Sequence, residues 1–408
     1  MALASAVNIA DLRTLARRRL PRVIFDFMDG GAEDEVTLRA NCEGFARYRF
    51  RPRLLTANAK RDLSITLFDQ KFNLPFVIAP TGLNGIHWRH ADIALATAAA
   101  KAGTGFALST ASTDSIEDVG AATSGTKWFQ LYPWADRAFC ARMLERARVS
   151  GYKTLLVTVD SVIAGRRERD ARHRFAHEVT LTPSVVVDGL MHPHWLMSVW
   201  LAGGGMPKII NVAEFLPPGA GAAVMAEFTR ARRNPMLNWD DMAFIKKTWG
   251  GPMLIKGVLT AEDTRLALDH GADGVVVSNH GGRQLDGSLA TIEALPDIVD
   301  AARDAVVMID GGFRRGSDIV KALALGAKGV LVGRATLYGV AAAGEAGAAR
   351  AIDILRVEVD RVLALLGCHS IAELGPRHVA SVDRLGIRNP ARSQVRLREA
   401  SPQLEPAE

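Results

Sequence analysis

Gly274-Val275-Val276-Val277-Ser278-Asn279-His280-Gly281-Gly282-Arg283-Gln284-Leu285-Asp286 is an apolar strand that runs straight into a base, a glycine pair and a cation. Side chains leaving the C-terminal end of one strand enter the same space, so His280 and Arg283 are read as facing one pocket. A second apolar segment, residues 154–159, ends near Asp160 and is followed by Gly165-Arg166-Arg167-Glu168-Arg169-Asp170. A third, residues 305–309, ends at Asp310-Gly311-Gly312-Phe313-Arg314-Arg315-Gly316, a glycine-rich run suited to cradling an anion. Charged residues at the ends of several apolar strands describe one site. Eight such segments are bounded by turn residues and separated by helical patterns, at 75–79, 105–109, 127–131, 154–159, 252–256, 274–278, 305–309 and 328–332. The repeat predicts an α/β fold, a (β/α)8 TIM barrel.

The barrel is expected over residues 75–374, behind a mostly helical N-terminal cap at 1–74 in which 61–68 could form a strand. A polar, proline-containing tail follows at 375–408 and is expected to fray at its end. With 408 residues, 48% hydrophobic and 23% charged, the chain has the composition of a soluble globular protein with a large core. Cys42, Cys140 and Cys368 are scattered without CxxC spacing, which argues against a disulfide framework or a structural zinc site. The first 19 residues lack the apolar core of a signal peptide, so a cytoplasmic setting is expected. A net charge of +6 favours an anionic partner. Nucleic acid is not expected, because no basic run is interleaved with aromatics.

Between the fourth and fifth segments, residues 172–237 form a connection far longer than a barrel loop needs. Within it, Leu190-Met191-His192-Pro193-His194-Trp195-Leu196-Met197-Ser198-Val199-Trp200-Leu201 combines tryptophans with aliphatic residues, and Lys208, Arg230, Arg232 and Arg233 lie downstream. Two readings stand side by side: a helix packed on the barrel or in a subunit contact, and a monotopic attachment to the inner face of a plasma membrane, with aromatics at headgroup level. The run is too short and too broken to span a bilayer.

The strands and loops together resemble the FMN-dependent α-hydroxy-acid dehydrogenases and oxidases, the family that acts on glycolate, L-lactate and (S)-mandelate. The resemblance runs from about residue 20 to 374 through Gly31-Ala32-Glu33-Asp34, Ala79-Pro80-Thr81-Gly82, Trp128-Phe129-Gln130-Leu131-Tyr132, Ile255-Lys256-Gly257, Ser278 to Gln284, Asp310 to Gly316 and Val332-Gly333-Arg334. Pro80-Thr81-Gly82-Leu83-Asn84-Gly85 and Leu108-Ser109-Thr110-Ala111-Ser112 are most similar to the mandelate-oxidising branch. The nicotinamide fingerprint GxGxxG is absent where it would have to lie, while glycine-rich loops follow the seventh and eighth segments. FMN is the implied cofactor. By resemblance Arg314, Gly333 and Arg334 hold its phosphate, with backbone donors from Gly312, and Asp310 bonds the ribityl hydroxyls. Pro80, Thr81, Gly82, Ser109, Gln130, Thr158 and Ser278 match positions about the flavin ring, and Lys256 places a cation at its pyrimidine side.

For the substrate, the resemblance makes Arg167 and Arg283 the carboxylate clamp, His280 the base, Asp160 its orienting acid and Tyr132 a hydrogen-bonding partner of the hydroxyl. Arg166 is expected to be structural or to face solvent, since adjacent side chains on an extended segment diverge. Phe27, Ala111 and Ile163 are placed in the substrate pocket. Phe27 stands where the family usually has a tyrosine that donates to the carboxylate, and Ala111 stands where glycolate oxidases have a bulky aromatic, opening room for an aryl or long alkyl group. Gly82, where oxidases tend to have alanine, favours a dehydrogenase passing electrons to a quinone or other carrier, and the resemblance implies a homotetramer. The competing readings are a soluble O2-using oxidase, an FMN barrel acting on an amino-acid-derived substrate, and a barrel that binds flavin without catalysis. Removal of the C2 hydrogen as a proton and removal of the hydroxyl proton with hydride transfer both use the same base.

Overall fold

The computed structural model describes residues 2–175, 182–216 and 234–382. Each of the eight apolar segments is a strand: β1 (Phe76–Ile78), β2 (Phe106–Ser109), β3 (Lys127–Leu131), β4 (Thr154–Thr158), β5 (Met253–Val258), β6 (Gly274–Val277), β7 (Val306–Ile309) and β8 (Gly329–Val332). All pair in parallel with their sequence neighbours, and β8 pairs with β1 to close the barrel. The protein is a TIM barrel, and the helices between strands bury the outward-facing half of each strand.

Strand alternation sorts the side chains. Val77, Ala107, Trp128, Leu156, Leu254, Val276, Met308 and Leu331 point inward and form the packed barrel interior. Two residues further along the same faces come Ala79, Ser109, Gln130, Thr158, Lys256, Ser278, Asp310 and Gly333. The polar residues expected at the site are thus the top layer of the barrel interior. The bottom is stoppered by a hairpin, Ile65–Leu67 with Gln70–Phe72, whose Leu67 and Phe72 join the interior cluster. Its Gln70 Oε1 accepts from the Trp128 indole N–H at 2.8 Å. The strand expected over 61–68 is therefore confined to its last residues, with an isolated bridge from Asp62 to Ser370 before it.

Ahead of the barrel, helices Ile9–Arg19, Arg22–Asp29 and Val36–Glu43 lie beside the active-site end, and the first packs along the long helix Arg334–Leu366. Tyr48–Phe50 pairs antiparallel with Val379–Ser381, so the chain returns to its N-terminal region before residue 383, from which the tail lies outside the described residues.

Within the long connection, the described stretch 182–216 folds back over the barrel. Trp195 is buried and donates to the Ile86 carbonyl at 2.7 Å, and Val199 is buried beside it. Leu190, Met191, Met197 and Leu201 are exposed on the other side. The segment thus packs on the barrel through Trp195 and Val199, as the first reading expected, and leaves these four apolar side chains bare. Trp195 belongs to the packed face, against the expectation that it sits at a headgroup layer, because its indole N–H finds a partner in the protein. Arg230, Arg232 and Arg233 lie outside the described residues. Among the described residues no helix is long and apolar enough to cross a membrane.

Candidate active site

A cleft opens at the C-terminal ends of the strands, where barrels carry their chemistry. His280, two residues past Ser278, holds a left-handed backbone at φ +58°, followed by Gly281 at +66° and Gly282 at +73°. For a residue with a Cβ this conformation costs about 1–2 kcal/mol. It is held by Ser278 Oγ, which accepts from the His280 backbone N–H at 3.1 Å, and by Asn279, whose carboxamide pairs with Asn41. The turn aims the imidazole back across the barrel mouth to Asp160, with Nδ1 2.8 Å from Asp160 Oδ1. An ionised Asp160 accepts, so Nδ1 carries the proton and Nε2 faces the Tyr132 hydroxyl at 3.4 Å. Burial alone would raise the Asp160 carboxyl, but the charge and hydrogen bond of His280, with Lys256 nearby, bring it below the usual carboxylate range.

Behind this pair lies a chain of buried polar groups. Ser109 Oγ donates to Gln130 Oε1 at 2.9 Å, and Gln130 Nε2 donates to Thr158 Oγ1 at 2.9 Å. Lys256 reaches Ser278 Oγ at 2.8 Å and Asp310 at 2.9 Å. Burial opposes its charge, but Asp310 and Asp160 outweigh it and keep the ammonium protonated. Gln130, Thr158, Lys256 and Asp310 line the cleft, whereas Ser109, Ser278 and Asp160 stand one layer behind it. Asp310 Oδ1 and Thr81 Oγ1 are buried without a protein partner.

Four arginines converge on the cleft: Arg167, Arg283, Arg314 and Arg334. Arg283 donates from Nη1 to the carbonyls of Phe27 and Gly30 at 2.9 and 2.7 Å. Burial, then the charges of Arg167 and Arg334, hold its pKa well below the usual guanidinium range. An anion in the cleft relieves that repulsion. Arg334 donates to the carbonyls of Met28, Gly281 and Gly30, tying the N-terminal helices to the loop that carries His280. Arg167 pairs with Asp170 at 3.3 Å and lines the cleft, while Arg166 is exposed, as alternation required.

The glycine-rich run supplies the backbone half of an anion site. Gly311 and Gly312 have φ of +93° and +81°, and a Cβ at Gly312 would sit 2.1 Å from the Asn41 carbonyl oxygen. At Gly333, just before the helix beginning at Arg334, a Cβ would meet only ordinary contacts, the nearest at 3.7 Å. The protein itself leaves that space open, at a helix N-terminus where a phosphate is favoured. Unpartnered Asp310 and Thr81 oxygens, clustered arginines and this open backbone fit a phosphorylated, hydroxyl-bearing cofactor such as FMN.

Phe27, Ala111, Pro80, Thr81 and Gly82 line the cleft, and a Cβ at Gly82 would stand 3.0 Å from Ala111 Cβ. Ile163 does not line it. The residue is 75% exposed; Gln284 Nε2 donates to the Ile163 carbonyl at 2.9 Å, and Val162 and Ala164 line the cleft instead. Sequence reading also missed His87, Trp134, Ile209 and Val212 in the lining. Ile209 and Val212 come from the long connection, which carries no local sign that it returns to the site.

A TIM barrel with a phosphate cradle after β7 and β8 and an imidazole–carboxylate pair across its mouth defines a flavin-type oxidoreductase. The chain belongs to the FMN-dependent dehydrogenase family, whose profile matches residues 16–381. It is 42% identical to (S)-mandelate dehydrogenase of Pseudomonas putida over 372 residues, covering 91% of this chain and 93% of that one. It is also 42% identical to an L-lactate dehydrogenase of Caulobacter vibrioides over 381 residues, 93% of this chain and 99% of that one. The crystal structure of the monotopic membrane protein (S)-mandelate dehydrogenase superposes with a TM-score of 0.88 at 41% identity, covering 92% of this chain and all of that one (100%).

Proposed function

We propose that the protein oxidises an (S)-2-hydroxy acid, mandelate-like or L-lactate-like, to the 2-oxo acid and passes the electrons to a quinone or another carrier. The observation that carries this reading is the placement of His280, Tyr132, Arg167 and Arg283 around one cleft, with Asp160 behind the base. The guanidinium groups of Arg167 and Arg283 bind the carboxylate and orient C2. His280 Nε2 takes the proton, and the imidazolium so formed is stabilised by Asp160 across the 2.8 Å bond. Tyr132 donates to the substrate oxygen as it becomes a carbonyl. Arg314, Gly312, Gly333 and Arg334 would hold the FMN phosphate, Asp310 the ribityl chain, and Pro80, Thr81, Gly82, Gln130, Thr158 and Lys256 the ring, with Ser109 and Ser278 supporting Gln130 and Lys256 from behind. The cofactor supplies the two-electron acceptor that no side chain can provide.

The bare apolar face at Leu190, Met191, Met197 and Leu201, with the net charge of +6, supports peripheral attachment to an anionic inner membrane surface, close to a quinone. The assembly is proposed to be a homotetramer in the cytoplasm. Anaerobic mixing of the flavin-loaded protein with L-lactate, glycolate, 2-hydroxyoctanoate and both mandelate enantiomers tests the reaction: the (S)-acids should bleach the flavin. No bleaching by any 2-hydroxy acid would defeat it.

A further inference from the structure

At the end of β5 the ladder carries one residue too many. Toward β6, Lys256 pairs with Val276 and Val258 with the next residue, Val277, so Gly257 is the extra residue of a bulge. Toward β4, Lys256 keeps register with Thr158, and its carbonyl accepts from the Val159 N–H at 3.0 Å. The bulge leaves Lys256 buried at the top of the barrel and turns the backbone of Gly257 to φ +111°, where glycine is favoured over any residue with a Cβ. Its missing side chain matters as much as its φ. A Cβ on Gly257 would stand 2.6 Å from Cβ, 2.8 Å from Cγ and 3.0 Å from Oδ2 of Asp160. The carboxyl that meets the base thus occupies the volume a side chain at 257 would fill. Its backbone is tied down separately, since Gln284 Nε2 donates to the Asp160 carbonyl at 2.8 Å. With the backbone held and the carboxyl resting on bare glycine, Oδ1 reaches His280 Nδ1 at 2.8 Å.

We propose that Gly257 is a positioning residue of the catalytic pair: the β5 bulge seats the Asp160 carboxyl and sets the direction in which it meets the imidazole. This rests on the reading of His280 as the base and deepens it. Bulges beside active sites re-aim side chains, and here the side chain aimed belongs to the neighbouring strand's end. A methyl group at 257 would strike the inner atoms of a short side chain, so the carboxyl has to move. A displacement of about 1 Å at a catalytic contact costs roughly 10²-fold in rate.

The test compares the flavin-loaded wild type with Gly257→Ala, Asp160→Asn, Asp160→Gly and the double variant Gly257→Ala/Asp160→Gly. Two readouts need no substrate: the urea midpoint, and deuterium exchange at the imidazole C2–H, which titrates His280 individually by mass spectrometry. The third is the pH profile of flavin reduction by the best hydroxy acid. Gly257→Ala should keep its FMN and reduce it roughly 10²-fold more slowly. Its His280 titration and the ascending limb of its profile should move to lower pH by about one unit or more, as in Asp160→Asn, because the imidazolium loses its carboxylate partner. Alanine at 257 should lower the urea midpoint when Asp160 is present and much less in Asp160→Gly, where all three atoms it would strike are gone. If Gly257→Ala alone fails to fold, the double variant should fold and bind FMN. An equal cost in both backgrounds, or no folding in either, would trace the effect to the backbone conformation and overturn the proposal. So would a His280 titration in Gly257→Ala that matches the wild type. Should no hydroxy acid reduce the wild-type flavin, the exchange and urea arms still read the seat of Asp160, and the two failures are told apart.

Discussion

At the residue scale, the chemistry depends on how a few side chains are aimed. His280 is held in a left-handed turn and its Nδ1 faces Asp160, so its Nε2 presents a lone pair to the cleft. Replacing it should leave the phosphate cradle intact and stop the chemistry. In His280→Ala we expect FMN to remain bound while anaerobic flavin reduction falls by at least about 10²- to 10⁴-fold. Reduction at a near wild-type rate would remove His280 from the base role. Arg283→Lys should raise KM and lower turnover together, since an ammonium cannot reproduce a forked contact. The shorter lysine also draws its donors back from the Phe27 and Gly30 carbonyls, both of which Arg283 Nη1 holds, so the helix Arg22–Asp29 should loosen, visible as faster amide exchange there. Unaltered steady-state parameters would take Arg283 out of the clamp. These residues were legible in the sequence because barrel strands deliver chemistry at their C-terminal ends. Ile163 and His87 were not, because which loop side chain faces inward is decided by contacts with residues far away in the sequence. Gln284 holds the backbone of the first, and the ring of the second stacks on Phe27.

At the scale of elements, the strands were readable from short apolar runs bounded by turn residues, and the alternation within them separates packing from function. The hairpin Ile65–Leu67 with Gln70–Phe72 was less legible, because its role as a barrel stopper depends on Trp128 and the interior layer it meets. The long connection shows the same limit: twelve residues from Leu190 to Leu201 read as one apolar run, yet tertiary packing divides them into two faces. Deleting the run would uncover the barrel, so the informative change is on the bare face alone. Substituting Leu190, Met191, Met197 and Leu201 by serine, with Trp195 and Val199 kept, should abolish sedimentation with anionic liposomes at low salt. Flavin loading and reduction of a soluble dye should persist. Undiminished liposome binding would assign the face to a subunit contact or another partner.

At the scale of the whole molecule, the buried carboxylates set how stability follows pH, and they act in opposite directions. Asp29 is pushed up by burial but pulled further down by the hydrogen bonds of Arg13 and Tyr338, to about 2, and Asp160 is also lowered. Their contribution is present above the unfolded carboxylate range and is lost as pH falls toward 2. Asp92 behaves the other way. It starts the helix Ala91–Lys101 beneath the Pro80–Asn84 loop, accepting from Asn84 Nδ2 at 2.7 Å and from the Thr113 backbone N–H at 3.2 Å. Burial, then the neighbouring Asp114, raises it to about 7. Between the unfolded value near ~3.9 and the folded value, the native state keeps a proton that the unfolded chain has released, so stability falls as pH rises through this window. Above the folded value both states are ionised and the decline stops. The wild-type urea midpoint, measured on the FMN-loaded protein, should therefore drop between pH 5 and 7 and level off by pH 8. In Asp92→Asn, whatever its absolute stability, that drop should be smaller, because an amide has no proton to retain. An identical slope in both proteins would show that Asp92 ionises normally and that the decline belongs to other groups.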